Sequence, residues 1–123
     1  MKIVYKDFPL PIHQNAQKAA EASRCAAEQG KYWEYHDLMF ANSNALAPAN
    51  LKKFAADLQL NTAQFDSCLD GGKYTQAVAK DVAEGNRVGV TGTPAFFVNG
   101  RFLSGAQPFT AFQEAIEDAL AAK

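Results

Sequence analysis

The chain has 123 residues, 48% of them hydrophobic, with 12 basic and 13 acidic side chains and a formal charge of −1 at pH 7. That length and apolar content fit one globular domain around a single core. Interspersed, near-neutral charge offers no basic stripe for nucleic acid or a membrane surface, and no apolar stretch reaches the ~20 residues that span a bilayer.

In chain order, Ile3-Val4-Tyr5 is β-branched and aromatic and predicts a short buried strand, closed by Asp7-Phe8-Pro9-Leu10-Pro11. Asn15 is a good N-cap for an Ala-rich helix running to about Gln29, where Gly30 offers a stop. Tyr32 to Ala41 places Trp33, His36 or Asp37, and Phe40 at helical spacing. Pro48 suits a first helical turn, and Leu51, Phe54, Ala55 and Leu58 then repeat every three to four residues. Asn61 and Gln64 have the spacing of a capping box before Phe65, Cys68 and Leu69, and Gly71-Gly72 breaks that helix. A longer helix takes Tyr74 through Val88. There is no internal repeat, low-complexity tract or linker, which predicts no second domain.

The segment Gly89 to Gly100, GVTGTPAFFVNG, carries the most information. Gly89 can end the preceding helix in left-handed geometry, and Gly92 has the same freedom. Thr93 is pushed towards extended backbone by Pro94. Ala95 to Val98 then reads as a strand, Asn99-Gly100 as a hairpin turn, and Arg101 to Ser104 as the second strand. The Thr93-Pro94 bond is open to either isomer on sequence grounds. Pro108 begins a last helix with Phe109, Phe112, Ile116 and Leu120 on one face.

Chemistry-bearing residues are few. Cys25 and Cys68 stand forty-three positions apart on two expected helices. A structural disulfide and two buried free thiols are both compatible with that spacing, and a bridge would contribute ~3–4 kcal/mol by chain entropy. His13 and His36 lack clustered acids or cysteines and predict no metal site. Tyr32, Trp33, Tyr35 and Phe40 read as core, as do Phe109 and Phe112, while Asp66, Asp70 and Asp81 read as solvated helix charges.

The proline turn and hairpin resemble the cis-proline loop of the DsbA-like branch of thioredoxin-fold thiol-disulfide oxidoreductases. The likeness extends through VYKDFPLPIHQNAQKAA, GKYWEYHDLMF, FDSCLDGGKY and LSGAQPFTAFQEAI. It implies an α/β, thioredoxin-like (DsbA-type) fold with an inserted helical subdomain. Residues 1–14 and 89–123 would supply the thioredoxin core, and residues 15–88 the largely helical insertion. Members begin with a strand leading into Cys-x-x-Cys at a helix N-terminus, and no Cys-x-x-Cys occurs here. The resemblance therefore describes a domain shortened at its N-terminus, without the central first strand and active-site helix.

Expectations for function follow from that resemblance. Gly92, Thr93 and Pro94 would line a substrate groove for an extended peptide or protein substrate, with no cofactor. Thioredoxin-type chemistry needs a thiolate with a lowered pKa, so the chain alone is expected to be redox-inactive. The alternatives are a peptide-binding or assembly segment using the proline loop and open strand edges, and one half of a reconstituted oxidoreductase. The missing strand would lie between the strands matched by Lys2 to Lys6 and Ala95 to Val98, leaving open edges. These predict a homodimer, with exchanged strands or segments as one form. Met1 to Lys6 has no signal-peptide character, which predicts a cytoplasmic chain as written, whereas family members are often periplasmic or secreted.

Overall fold

The computed structural model describes residues 1–122, and the chain divides into two compact units, Met1–Glu84 and Gly85–Lys123. In the first lie helices α1 (Ala16–Ala27), α2 (Tyr32–Ala41), α3 (Pro48–Asp57) and α4 (Thr62–Asp70), and most of α5 (Thr75–Arg87). The second holds strands β1 (Ala95–Val98) and β2 (Arg101–Ser104) and helix α6 (Phe109–Ala121).

The first unit is organised around α1, which presents Ala19, Ala22, Cys25 and Ala26 to the interior. These small side chains let neighbouring helices approach closely. Tyr35 of α2, Leu51 and Phe54 of α3, and Phe65 and Leu69 of α4 fill the space around them. The Tyr35 ring lies 5.6 Å from that of Phe65, and its hydroxyl donates to the Leu51 carbonyl at 2.8 Å, so the one polar atom it buries is satisfied.

Local signals account for several helix ends, although Asn15, expected to cap α1, makes no side-chain cap bond. Gly30 takes φ +75° beyond α1, and Pro48 occupies the first turn of α3. Asn61 caps α4 by accepting from the Gln64 amide at 3.0 Å. The reciprocal half of the expected capping box is absent, because the Asn61 amide donates instead to Gln29 Oε1 at 2.7 Å.

Three expectations are corrected in this unit. Ile3-Val4-Tyr5 forms no strand and is exposed, since the only sheet among the described residues is the pair β1 and β2. A strand needs a ladder partner, and strand-type residues cannot provide one for themselves. Of the four aromatics expected in the core, only Tyr35 is buried: Trp33 is 48% and Phe40 62% exposed. Asp81 is not a solvated charge but part of a cluster, where Arg24 Nη2 donates to its Oδ2 at 2.8 Å and the Asp7 amide donates to the same oxygen at 2.9 Å. Arg24 Nε also donates to Asp7 Oδ2 at 2.7 Å.

In the second unit β1 and β2 pair antiparallel in the register Ala95 with Ser104 through Val98 with Arg101. Asn99 at φ 52° and Gly100 at φ 88° supply the two left-handed residues of a tight hairpin turn. Phe96 packs edge-on against Phe112 of α6, with centroids 4.8 Å apart. Of the expected α6 face, Phe109 and Leu120 are exposed, and Ala115 is the buried position.

Candidate functional site

The proline loop is built from a helix stop and a hairpin. After α5, Gly89 takes φ +91°, and the buried Val90 returns its amide to the Gly85 carbonyl at 2.9 Å. The chain then runs through Thr91, Gly92 and Thr93 to Pro94, all exposed, and the Thr93–Pro94 peptide is cis. Beyond it the Pro94 carbonyl accepts from the Gly105 amide at 2.8 Å, which ties the proline to the far end of the hairpin.

Gly92 and Thr93 make no backbone hydrogen bond to any described residue. Gly92 does not use the left-handed region open to it, and a Cβ added there would meet nothing within 4 Å. The loop therefore offers unpaired donors and acceptors in open space beside the proline. A segment of extended polypeptide can pair with such groups without displacing internal bonds.

Cys25 and Cys68 are joined by a disulfide, with Cα atoms 5.9 Å apart, that links α1 to α4 inside the first unit. Both cysteines are buried, and no free cysteine remains among the described residues. The bridge lies in one unit and the proline loop in the other. Neither sulfur is a free thiolate, which is the species that attacks a disulfide.

Most other polar groups are satisfied internally; the exception is Asp66, expected as a solvated charge, whose Oδ1 is buried without a hydrogen-bond partner among the described residues. Glu21 is buried, and burial pushes its carboxyl up, but donors from Gln17, Lys18 and Thr75 and the Lys18 charge outweigh that and hold it below the ordinary carboxylate range. Burial raises Asp7 despite its bond to Arg24. A shallow groove of ≈490 Å³ runs past Tyr5, Lys6, Arg24, Lys80, Asp81 and Glu84. Its arginine is spent on Asp7 and Asp81, and Lys6 lies 3.7 Å from Glu84. His36 Nδ1 lies 3.0 Å from Asp37 on the same helix, with no third group of a catalytic relay beside it. No group of three or more metal-ligating side chains occurs among the described residues.

The Arg24, Asp7 and Asp81 cluster was not foreseen from sequence. Its members are 17 and 57 positions apart, and no local pattern announces a pair at such separations.

The order of helices, cis-proline turn, hairpin and final helix matches a thioredoxin-like fold. Among solved structures, the chain resembles a thioredoxin-like oxidoreductase from Silicibacter pomeroyi DSS-3, with a TM-score of 0.81, 24% identity, and coverage of 98% of this chain and 69% of that one. A family model described as Thioredoxin matches residues 1–118, and the chain belongs to that family. Curated relatives include proteins named Na(+)/H(+) antiporter NhaA 3 from Salinispora tropica, 39% identical over 122 residues, and Na(+)/H(+) antiporter NhaA from Herminiimonas arsenicoxydans, 38% identical over 109. The matches take in 98% and 86% of this chain but only 19% and 18% of those relatives.

Proposed function

We propose that the chain is the peptide-facing portion of a DsbA-like thiol-disulfide oxidoreductase. Its Gly92-Thr93-Pro94 loop holds an extended polypeptide, and the reactive dithiol comes from residues other than these 123. The observation that carries this reading is the unpaired, exposed backbone of Gly92 and Thr93 beside the cis Pro94. Backbone pairing with an extended peptide gives affinity with little demand on sequence, as a general disulfide catalyst requires.

The chemical step is outside the reach of these residues. A catalytic thiolate must attack the substrate disulfide and form a mixed disulfide, and here both sulfurs are buried and bonded to each other. The 123-residue chain is therefore expected to reduce insulin no faster than the uncatalysed mixture with dithiothreitol. An extended, cysteine-free peptide is expected to shift the amide resonances of Gly92 and Thr93. Turnover abolished by alkylating the reduced cysteines would contradict the inactive assignment, and unmoved Gly92 and Thr93 resonances would contradict the groove.

The names of the relatives favour a second reading, in which a thioredoxin-like segment of this kind accompanies a sodium-proton antiporter and takes up about a fifth of the whole. Sequencing the reading frame on both sides of the segment tests it. A continuous frame encoding several apolar spans supports the reading, and a frame without them removes it.

A further inference from the structure

We propose that Cys68 is a site of reversible thiolation: a small cysteinyl-peptide thiol attacks its sulfur and leaves Cys25 in the core as the resolving thiol. The proposal concerns the Met1–Glu84 unit alone and stands whether or not the Pro94 loop holds a peptide.

The two halves of the bridge are not equivalent. Cys25 is 1% exposed and lies with Ala22 and Ala26 on the buried side of α1, whereas Cys68 is 6% exposed and lines a surface groove of ≈370 Å³. Glu28, Gln64, Ser67, Gly71 and Lys73 complete that groove. Thiol exchange depends on which sulfur a thiolate can reach, and the groove leads to Cys68.

The lining suits a peptide thiol. Gln64 and Ser67 are exposed and carry an amide and a hydroxyl that can pair with peptide N–H and C=O groups. Gly71 adds no side chain over the approach. The Glu28 carboxylate would repel an incoming thiolate, but it accepts from the Lys73 ammonium and, at 2.7 Å, from the Tyr74 hydroxyl. One acid and one base among the lining residues leave the mouth without net charge.

The exchange needs no oxidant. As the incoming sulfur bonds to Cys68 Sγ, the Cys25–Cys68 bond breaks and its electron pair leaves on Cys25 Sγ, which takes up the proton that the small thiol lost to solvent. The products are a mixed disulfide on Cys68 and a neutral thiol at Cys25. An apolar core disfavours a bare thiolate, so Cys25 leaves slowly and the bridge is the resting form. Other ties hold α1 beside α4 once it opens. The Gln29 side chain and the Asn61 backbone exchange bonds of 3.2 and 2.7 Å, and Lys18 Nζ donates to the Leu69 carbonyl at 3.0 Å. Cys25 is thereby kept next to the mixed disulfide, at high effective concentration, and expels the small thiol when its supply falls. The crosslink between α1 and α4 then answers to the thiol content of the surroundings, by a one-for-one exchange and without turnover.

The bridged chain is incubated with reduced glutathione, quenched in acid at early times and mapped by peptide mass spectrometry. Glutathione is expected on the Cys68 peptide about tenfold or more over the Cys25 peptide. The rate is expected to stay nearly constant over low urea concentrations, because attack occurs on the folded chain. Lys73→Glu sets a second acid beside Glu28 and is expected to slow the adduct about threefold or more with glutathione, while neutral 2-mercaptoethanol is unaffected. Removing glutathione by gel filtration is expected to return the mass of the bridged chain. No adduct, equal labelling of both cysteines, or a rate that climbs with urea as global unfolding does overturns the proposal. Lys73→Glu that slows neither thiol, or both alike, overturns the groove as the route. An adduct that persists after gel filtration overturns the resolving role of Cys25.

Discussion

Arg24 holds two carboxylates that would otherwise repel each other. It donates to Asp7 and Asp81, and Asp81 also receives the Asp7 amide, so three segments meet at one guanidinium. Arg24→Gln would leave two largely buried acids without their cation, an expected loss of about 2–3 kcal/mol at pH 7, since the arginine itself keeps some solvent contact. The sign of the pH dependence follows from Asp7. Burial already raises its folded pKa above the unfolded value, against the lowering by Arg24, and removing Arg24 raises it further. The folded variant therefore takes up a proton before the unfolded chain does, and its deficit is expected to narrow as pH falls from 7 towards about 4. Urea denaturation of both proteins across that range checks this; a deficit independent of pH would show that Arg24 contributes packing, not charge. Sequence disclosed none of this, because a tertiary ion pair leaves no periodic trace. It did disclose the residues whose role is local, such as Asn61, Pro48 and the Asn99-Gly100 turn.

At the level of elements, the helices were legible, while a strand expected at Ile3 to Tyr5 did not form, for one reason. A helix closes its hydrogen bonds within its own segment, so Tyr32 to Ala41 or Pro48 to Asp57 could be read from spacing and caps alone. A strand is a relation between two segments: Ala95 to Val98 finds its partner across a two-residue turn, whereas Ile3 to Tyr5 has none among the described residues. Pairing of the cysteines was equally a relation, open on spacing alone and decided by the approach of α1 and α4. Because the bridge spans 43 positions, the chain-entropy model assigns it ~4 kcal/mol. The double variant Cys25→Ala, Cys68→Ala is expected to melt about 15–25 °C lower, given the usual shift per kcal/mol for a small domain. A fall of only a few degrees would mean that packing between α1 and α4 holds that pair without the crosslink.

At the scale of the whole molecule, the two units differ in what holds them together. Met1–Glu84 has eleven residues in one buried cluster, a disulfide across it, and buried polar groups that are largely paired. Gly85–Lys123 is near the size, about 40 residues, below which a chain without disulfide or metal seldom keeps a fold. Its buried apolar residues are Val90 and Ala115, and Phe96, Phe97 and Phe102 of the hairpin are all substantially exposed. A two-stranded sheet with so little cover is marginal in water. Native-state opening free energies track such differences in buried contact. Hydrogen exchange read by mass spectrometry is therefore expected to show peptides from β1, β2 and α6 exchanging at least about tenfold faster than those from α1 and α4, a gap of about 1.4 kcal/mol or more. The gap should narrow from the other side when Cys25–Cys68 is reduced, because the bridge is confined to the first unit. Equal protection throughout, collapsing everywhere on reduction, would instead mean that the chain opens as a single cooperative body. The proposed peptide site on the Pro94 loop would then be as rigid as the helical core, and binding there would carry no ordering cost of its own.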